Sequence, residues 1–395
     1  MKINALLSLS GVCRFHLIAL EPEIRLYLSP LDLSPTDEAA LAYPVSFARR
    51  MVEAGGLLKT RGAPSEWAGL AAGRLPEAAF LSDLEATWKE RTAAAKTALE
   101  RDWGLFCCAF SDPADTQRMF WRFLEPEQRA GEAQLSAAQR DAILRAYRRI
   151  DDWIGGLLRT HADPDTVVLV LSAHGYTGFR KAVDLNRWLV DVGYMRLSAD
   201  STSRPTQLHG YLQRQAGMGQ ASGIDWSQTD AYALGAGSVY LNLKGREPAG
   251  TVPPGAQAEL LRSRLAGELA ALRDPEAGDP VVARVVLGAR LETATAEGRG
   301  PDLLVEFRPG YRMAWPSMLG GVGDAWLSPN RDRWSGDFAG MEPHRLPGVF
   351  FCNRKTEAQP QSIDVAPTVL SLLGLPIPDT MEGRPLLSVN RAAEP

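Results

Sequence analysis

The sequence is poor in the residues that staple small secreted folds. It has four cysteines in 395 residues, Cys13, Cys107, Cys108 and Cys352, and no CxxC pair. That excludes a disulfide framework and a cysteine-rich zinc module, and it favours a reducing compartment. Histidine is scarce too, with five in the chain. No apolar run is long enough to span a bilayer. The opening MKINALLSLSGVC has one Lys and an apolar stretch broken by serines, without a small-x-small cleavage pattern. Export is not expected from it, and the expected location is cytoplasmic. There is no basic tract, and the net charge is −4. Nucleic acid and anionic membrane are therefore not expected as partners.

What is present is an ordinary globular composition, 45% hydrophobic and 23% charged, in a chain long enough to bury a large core. Residues 11–30 partly alternate apolar and polar on both sides of Glu21-Pro22-Glu23, which predicts two strands joined by a turn. Helices are expected at 44–62, at 79–102 with Ser82 as cap, and at 136–160. The run WGLFCCAFSD (103–112) reads as a strand buried on both faces, with Cys107 and Cys108 filling core. TVVLVLS (166–172) reads the same way. Strand, helix, strand in that order predicts a βαβ unit with a right-handed crossover. Ligands of such sheets sit at the carboxyl ends of strands, here 111–118 and 172–177.

Further on, TDAYALGAGSVYLNL (229–243) predicts two strands around a glycine turn. Residues 256–273 predict a helix. PDLLVEF (301–307) and LPGVFFC (346–352) predict strands, and APTVLSLLG (366–374) a helix ended by Gly374. The whole chain reads as one α/β domain, 1–395, with residues 202–300 as an inserted β/α subregion.

These segments, in order, carry a resemblance. GVCRFHL, LYLSPLDLSP, MFWRF, LSAHGYTGFRKAVDLNRWL, DWSQTDAYALG, VYLNLKGRE, PDLLVEFRPGYRMAW, NRDRWSGDF, LPGVFFCNRK and SIDVAPTVLSLLGLPIPDTMEGRPLL resemble the alkaline phosphatase superfamily. The branch is that of type I phosphodiesterases, nucleotide pyrophosphatases and predicted phosphohydrolase/phosphomutases. The likeness runs from about residue 11 to 388. It implies an α/β/α sandwich with a mostly parallel central sheet. It also implies a pair of divalent metals, zinc or manganese, and a Ser or Thr nucleophile for phosphate ester hydrolysis. Two such cations stabilise the attacking and leaving oxygens of an in-line displacement. Their ligands are carboxylates and imidazoles from several strand ends.

The motifs depart from that pattern where the metals would bind. The family's Ser-Asp-His-Gly is Ser172-Ala173-His174-Gly175 here, and a methyl group cannot coordinate a metal. The family has an Asp, three residues, then a His before Met-Phe-Trp. Here Ala114 and Arg118 hold those places, with Asp112 and Asp115 nearby. The family's Trp-Ser-Gly-Asp-His ends in Phe338. The resemblance also implies a longer N-terminal part with a further metal-binding Asp and the nucleophile, and the chain is expected to start after it.

His174 is thus the expected metal-ligand remnant, with Asp112 and Asp115 as secondary candidates. The bland alternative for His174 is a strand-end imidazole satisfied by a backbone carbonyl, and for the two Asp a cap or turn role. His344 is a candidate substitute ligand or a surface loop residue. His16, His161 and His209 carry no motif. Arg180, Arg312 and Trp334, from matched motifs, are expected to line a substrate cleft, where Arg suits phosphate; packing is the alternative for Trp334 and Trp315. No catalytic residue and no cofactor are expected for the chain as it stands.

Three functions follow. One is a non-catalytic phosphodiesterase homologue that binds a phosphorylated small molecule or a protein. Another is a metal-dependent phosphodiesterase completed by a separately encoded N-terminal chain. The third is an interaction or structural protein. An uncovered strand edge, if the sheet is incomplete, would favour a homodimer or such a partner chain.

Overall fold

The computed structural model describes residues 11–34, 42–56, 59, 65–125, 136–198, 223–288, 300–356 and 358–387. The start of the expected inserted subregion and the end of the expected first helix therefore lie outside the described residues.

The expected hairpin is present. β1 (Gly11–Val12) pairs antiparallel with β4 (Asp32–Leu33), and between them β2 (Phe15–Ala19) pairs with β3 (Arg25–Leu28). Phe15 faces Leu28 and Leu17 faces Leu26, all four exposed, while His16, Ile18 and Tyr27 point inward. Then come α1 (Val45–Gly55), α2 (Trp67–Ala71) and α3 (Glu77–Leu99). Phe80, Leu84 and Leu99 bury one side of α3. The helix begins after Pro76, with Glu77 in its first turn, and not at Ser82 as expected. Proline pre-sets the extended entry that a helix start needs, and an acid there suits the dipole.

The run 103–110 departs from expectation. It forms no strand, and Trp103, Leu105, Cys107 and Cys108 are exposed. β5 (Leu169–Leu171) instead pairs antiparallel with β14 (Phe350–Cys352). The βαβ unit is therefore not formed among the described residues. An apolar run shows that a segment can be buried, but a partner edge must still present itself. Phe110, half-buried, is set between Trp88 and Trp153 at 5.0 and 4.9 Å.

α4 (Asp112–Phe120) follows, with Pro113 at its start, two acids in its first turn and Arg118 in its last. That distribution suits the helix dipole. α5 (Ala137–Arg140) and α6 (Ala142–His161) complete the helical layer, close to the predicted bounds.

The second half holds the larger sheets. β6 (Thr177–Val183) is followed by α7 (Leu185–Asp191). β7 (Ala231–Ala233), β8 (Ser238–Leu241), β9 (Val282–Leu287) and β10 (Leu303–Phe307) form an antiparallel sheet in the order β7-β8-β10-β9. α8 (Ala256–Ala270) packs against it. β11 (Gly310–Met313) runs parallel to β6, while β12 (Leu327–Pro329) and β13 (Gly336–Asp337) pair with β6 antiparallel. A short α9 (Trp315–Met318) and a last helix, α10 (Val365–Leu372), complete the elements. Gly374 ends α10 at φ +68°, as expected. The fold is mixed α/β. Among the described strand pairs, β6–β11 is parallel and the others are antiparallel.

Two apolar cores result. One lies under the β7–β10 sheet, around Leu185, Leu241, Leu265 and Phe307. The other joins α2, α3 and α4 to Phe179 and Trp334. The motif residues gather at this second core. No helix among the described residues is long and apolar enough to cross a membrane.

Candidate functional site

Three motif segments distant in sequence meet at one place. β13 pairs with the start of β6, placing Asp337 beside Thr177 and Gly336 beside Gly178. The same segment is stitched to α4: Ser335 N–H donates to the Arg118 carbonyl at 2.9 Å, and the Arg122 N–H donates to the Ser335 hydroxyl at 2.9 Å. Gly336 is required there, because a Cβ would stand 2.4 Å from the Gln117 carbonyl oxygen. The α4, 172–177 and 334–338 segments are therefore neighbours in space.

The imidazole of His174 stacks on the Phe338 ring, with centroids 3.6 Å apart and planes 21° from parallel. Its Nδ1 lies 3.0 Å from the Gly175 carbonyl oxygen. Tyr176 meets Phe338 edge-on at 5.5 Å. Its hydroxyl accepts from Arg118 at 3.1 Å. Burial, countered in part by Arg118, pushes the Tyr176 hydroxyl up to about 12.

Arg118 forms a 2.7 Å ion pair with Asp115, one turn earlier on α4. The other Asp115 oxygen accepts from the Ser65 hydroxyl at 2.7 Å. Burial pushes the Asp115 carboxyl up, against the pull of Arg118 and Ser65. Asp112 pairs with Arg149 of α6 at 2.6 Å. Its carboxyl is likewise raised by burial and drawn back by Arg149. Asp337 pairs with Arg312 at 2.9 Å and accepts from the Phe338 N–H at 2.8 Å. Each of the three carboxylates is thus matched by an arginine.

The residues expected to line a substrate cleft are differently placed. Arg312 is 2% exposed, its guanidinium 4.7 Å from the Phe179 ring, 4.6 Å from Trp315 and 5.2 Å from Trp334. It is a core cation, neutralised by Asp337, and is not open to a phosphate. Trp334 is buried between Arg118, 4.8 Å from its ring, and Arg312, with Trp67 and Trp315 edge-on at 5.0 and 4.8 Å. Arg180 is exposed on β6. Its neighbour Phe179 is buried in the arginine cage, so the strand's alternation sends Arg180 to the opposite face. His344 is exposed in a short 3₁₀ turn away from these contacts.

Ser65, Tyr176 and Trp67 were not singled out by the sequence. Ser65 lies in a loop without a motif, so only the fold could bring it to Asp115. Tyr176 directly follows the Ser-Ala-His-Gly motif, and that adjacency was the available signal.

The assembly does not suit a divalent cation. Among the described residues no three His, Cys, Asp or Glu side chains stand together as a ligand set. Arg118 and Arg149 occupy the carboxylates that a metal would need, and a fixed positive charge repels one. The buried polar atoms left unpaired there include the Arg118 Nε and Trp334 Nε1 donors, the wrong polarity for a cation, beside one Asp112 oxygen.

No curated protein matches the chain. The family model described as type I phosphodiesterase / nucleotide pyrophosphatase matches residues 60–322. It takes in α2 to α9, including the Ser65 loop, α4 and the 172–177 turn. The family is in general one of metal-dependent hydrolases. With the match spanning most of its length, the chain belongs to the type I phosphodiesterase / nucleotide pyrophosphatase family, within the alkaline phosphatase superfamily.

Proposed function

We propose that this chain is a phosphohydrolase-like protein whose metal centre has been replaced by an arginine and aromatic assembly. In this reading it does not hydrolyse phosphate esters and serves by binding. The observation that carries it is the stack of His174 on Phe338, beside an Arg118–Asp115 ion pair. An imidazole held flat against a ring, with its Nδ1 directed at a carbonyl, is a packed side chain. A carboxylate already neutralised by a guanidinium gains little from a metal and would first have to break that pair. A reducing, cytoplasmic setting is part of the proposal, supported by four unpaired cysteines.

The test joins two measurements on the purified chain. Elemental analysis and calorimetric titration with zinc and manganese should find no stoichiometric uptake. Hydrolysis of bis-p-nitrophenyl phosphate with added metal should not exceed that of His174→Ala. One metal per chain, lost together with turnover in His174→Ala, would sink the proposal and restore the metal-dependent enzyme.

A further inference from the structure

A second surface feature adjoins the motif cluster through the Arg149–Asp112 pair. An open groove of about 430 Å³ is lined by Trp88 of α3 and by Arg145, Arg148, Arg149, Asp152 and Trp153 of α6. The α6 residues recur at the spacing of one helix face, so the face is continuous and not a chance gathering.

The charge left open in this lining is positive: Arg149 is neutralised, while Arg145 and Arg148 form no ion pair among the described residues and face one lining carboxylate, Asp152. Arg149 is held in place, paired to Asp112 at 2.6 Å and to Glu85 of α3, and its guanidinium carbon lies 5.0 Å from the Trp88 ring centroid. Its Nε is buried without a partner. Arg148 is exposed and has no ion-pair partner among the described residues. Arg145 donates one N–H to the Ala138 carbonyl at 2.6 Å, leaving the rest of its fork for another acceptor. Planar guanidinium forks match phosphate oxygens two at a time.

The walls are aromatic. Trp88 and Trp153 are both half-buried, and Phe110 sits between them as a spacer at 5.0 and 4.9 Å. Two rigid indoles beside exposed arginines offer stacking for a flat ring and forks for its phosphate in one groove. We infer that the α3–α6 groove binds a phosphorylated ring compound, with the ring against Trp88 and Trp153 and the phosphate on Arg145 and Arg148. This gives the binding role proposed above a location, and it holds whether or not the old centre takes up metal.

Isothermal titration calorimetry with ADP as probe tests it on the full chain. ADP should bind saturably. Inorganic pyrophosphate, which lacks the ring, should bind about tenfold more weakly. Arg145→Glu/Arg148→Glu should weaken ADP by about tenfold or more, since each lost charge-assisted bond costs of that order. Circular dichroism should be unchanged, because both side chains are exposed. If the double variant fails to fold, Arg148→Gln alone carries the same test. Arg264→Glu, an exposed charge change on α8, should leave ADP binding as it is. No saturable heat with ADP would overturn the inference. So would pyrophosphate binding as tightly as ADP, or an equal loss in Arg264→Glu, which would mark binding by net charge alone.

Discussion

His174 lies flat on Phe338, 3.6 Å between ring centroids. The contact sets the first expectation. Ala173→Asp alone should add a carboxylate and little metal affinity, because Phe338 offers no ligand beside His174. Ala173→Asp with Phe338→His should supply a second imidazole there. Zinc competition against a chromogenic chelator should then detect binding in the double variant only. Zinc bound equally by the single variant would show that the position of Phe338 does not limit metal binding.

The Arg118–Asp115 pair should be costly to halve. Arg118→Leu leaves Asp115 buried without its cation, and losses of this kind run to about 3–5 kcal/mol. Arg118→Leu/Asp115→Leu, which removes both charges, should recover much of that loss. Urea denaturation midpoints report the difference. A double variant no more stable than Arg118→Leu would mean that the arginine contributes through packing on Trp334.

Gly336 lets β13 approach α4. In Gly336→Ala the new methyl would meet the Gln117 carbonyl oxygen at 2.4 Å and the Trp121 Cβ at 2.9 Å. Strand and helix must part, at about 1–3 kcal/mol. The displacement moves Asp337 and Phe338 with them, so the near-ultraviolet dichroism of the aromatic cluster should change along with the urea midpoint. A variant with wild-type dichroism and midpoint would show that the strand has room to give.

Asp274 supplies a pH dependence. Burial raises its carboxyl, but hydrogen bonds from Lys181, the Glu276 N–H and Tyr311 outweigh that and bring it down to about 2. A carboxyl lowered on folding contributes stability that is fully present above its unfolded value, about 3.9. The contribution is lost as pH falls from there toward 2. The stability gap between the wild type and Asp274→Asn should therefore be constant above about pH 4 and close below it. Chemical denaturation across that range measures it, and a gap that persisted to the acid limit would refute the assignment.

Much of the fold could be read from local pattern. Helix α6 and the hairpin β2–β3 carry their periodicity in contiguous residues, and α3 and α8 are rich in helix-forming residues, so composition and spacing were enough. FCCAF was misread because its pattern speaks only of apolarity. Whether such a run becomes a central strand depends on a partner edge, and β5 gives one of its edges to β14. At the candidate site the substitutions Ala173, Arg118 and Phe338 were legible as departures from family motifs. What they became was not. The i, i+3 spacing of Asp115 and Arg118 sits within one turn of α4, but Arg149 and Arg312 reach their carboxylates from other elements. Arg312 looked like a phosphate contact for the same reason: a sequence shows the charge of a guanidinium, not the ring cage that encloses it.

The matched arginines also bear on how the cluster tolerates change. Each carboxylate is balanced by a cation from a different part of the chain: Asp115 by its own helix, Asp112 by α6, Asp337 by β11. Removing one member of any pair therefore leaves its partner buried and uncompensated, so a charge change at any of these six positions begins with a loss of stability. Neutrality in the cluster is kept pair by pair, and no single pair can be altered without a matching change in its partner.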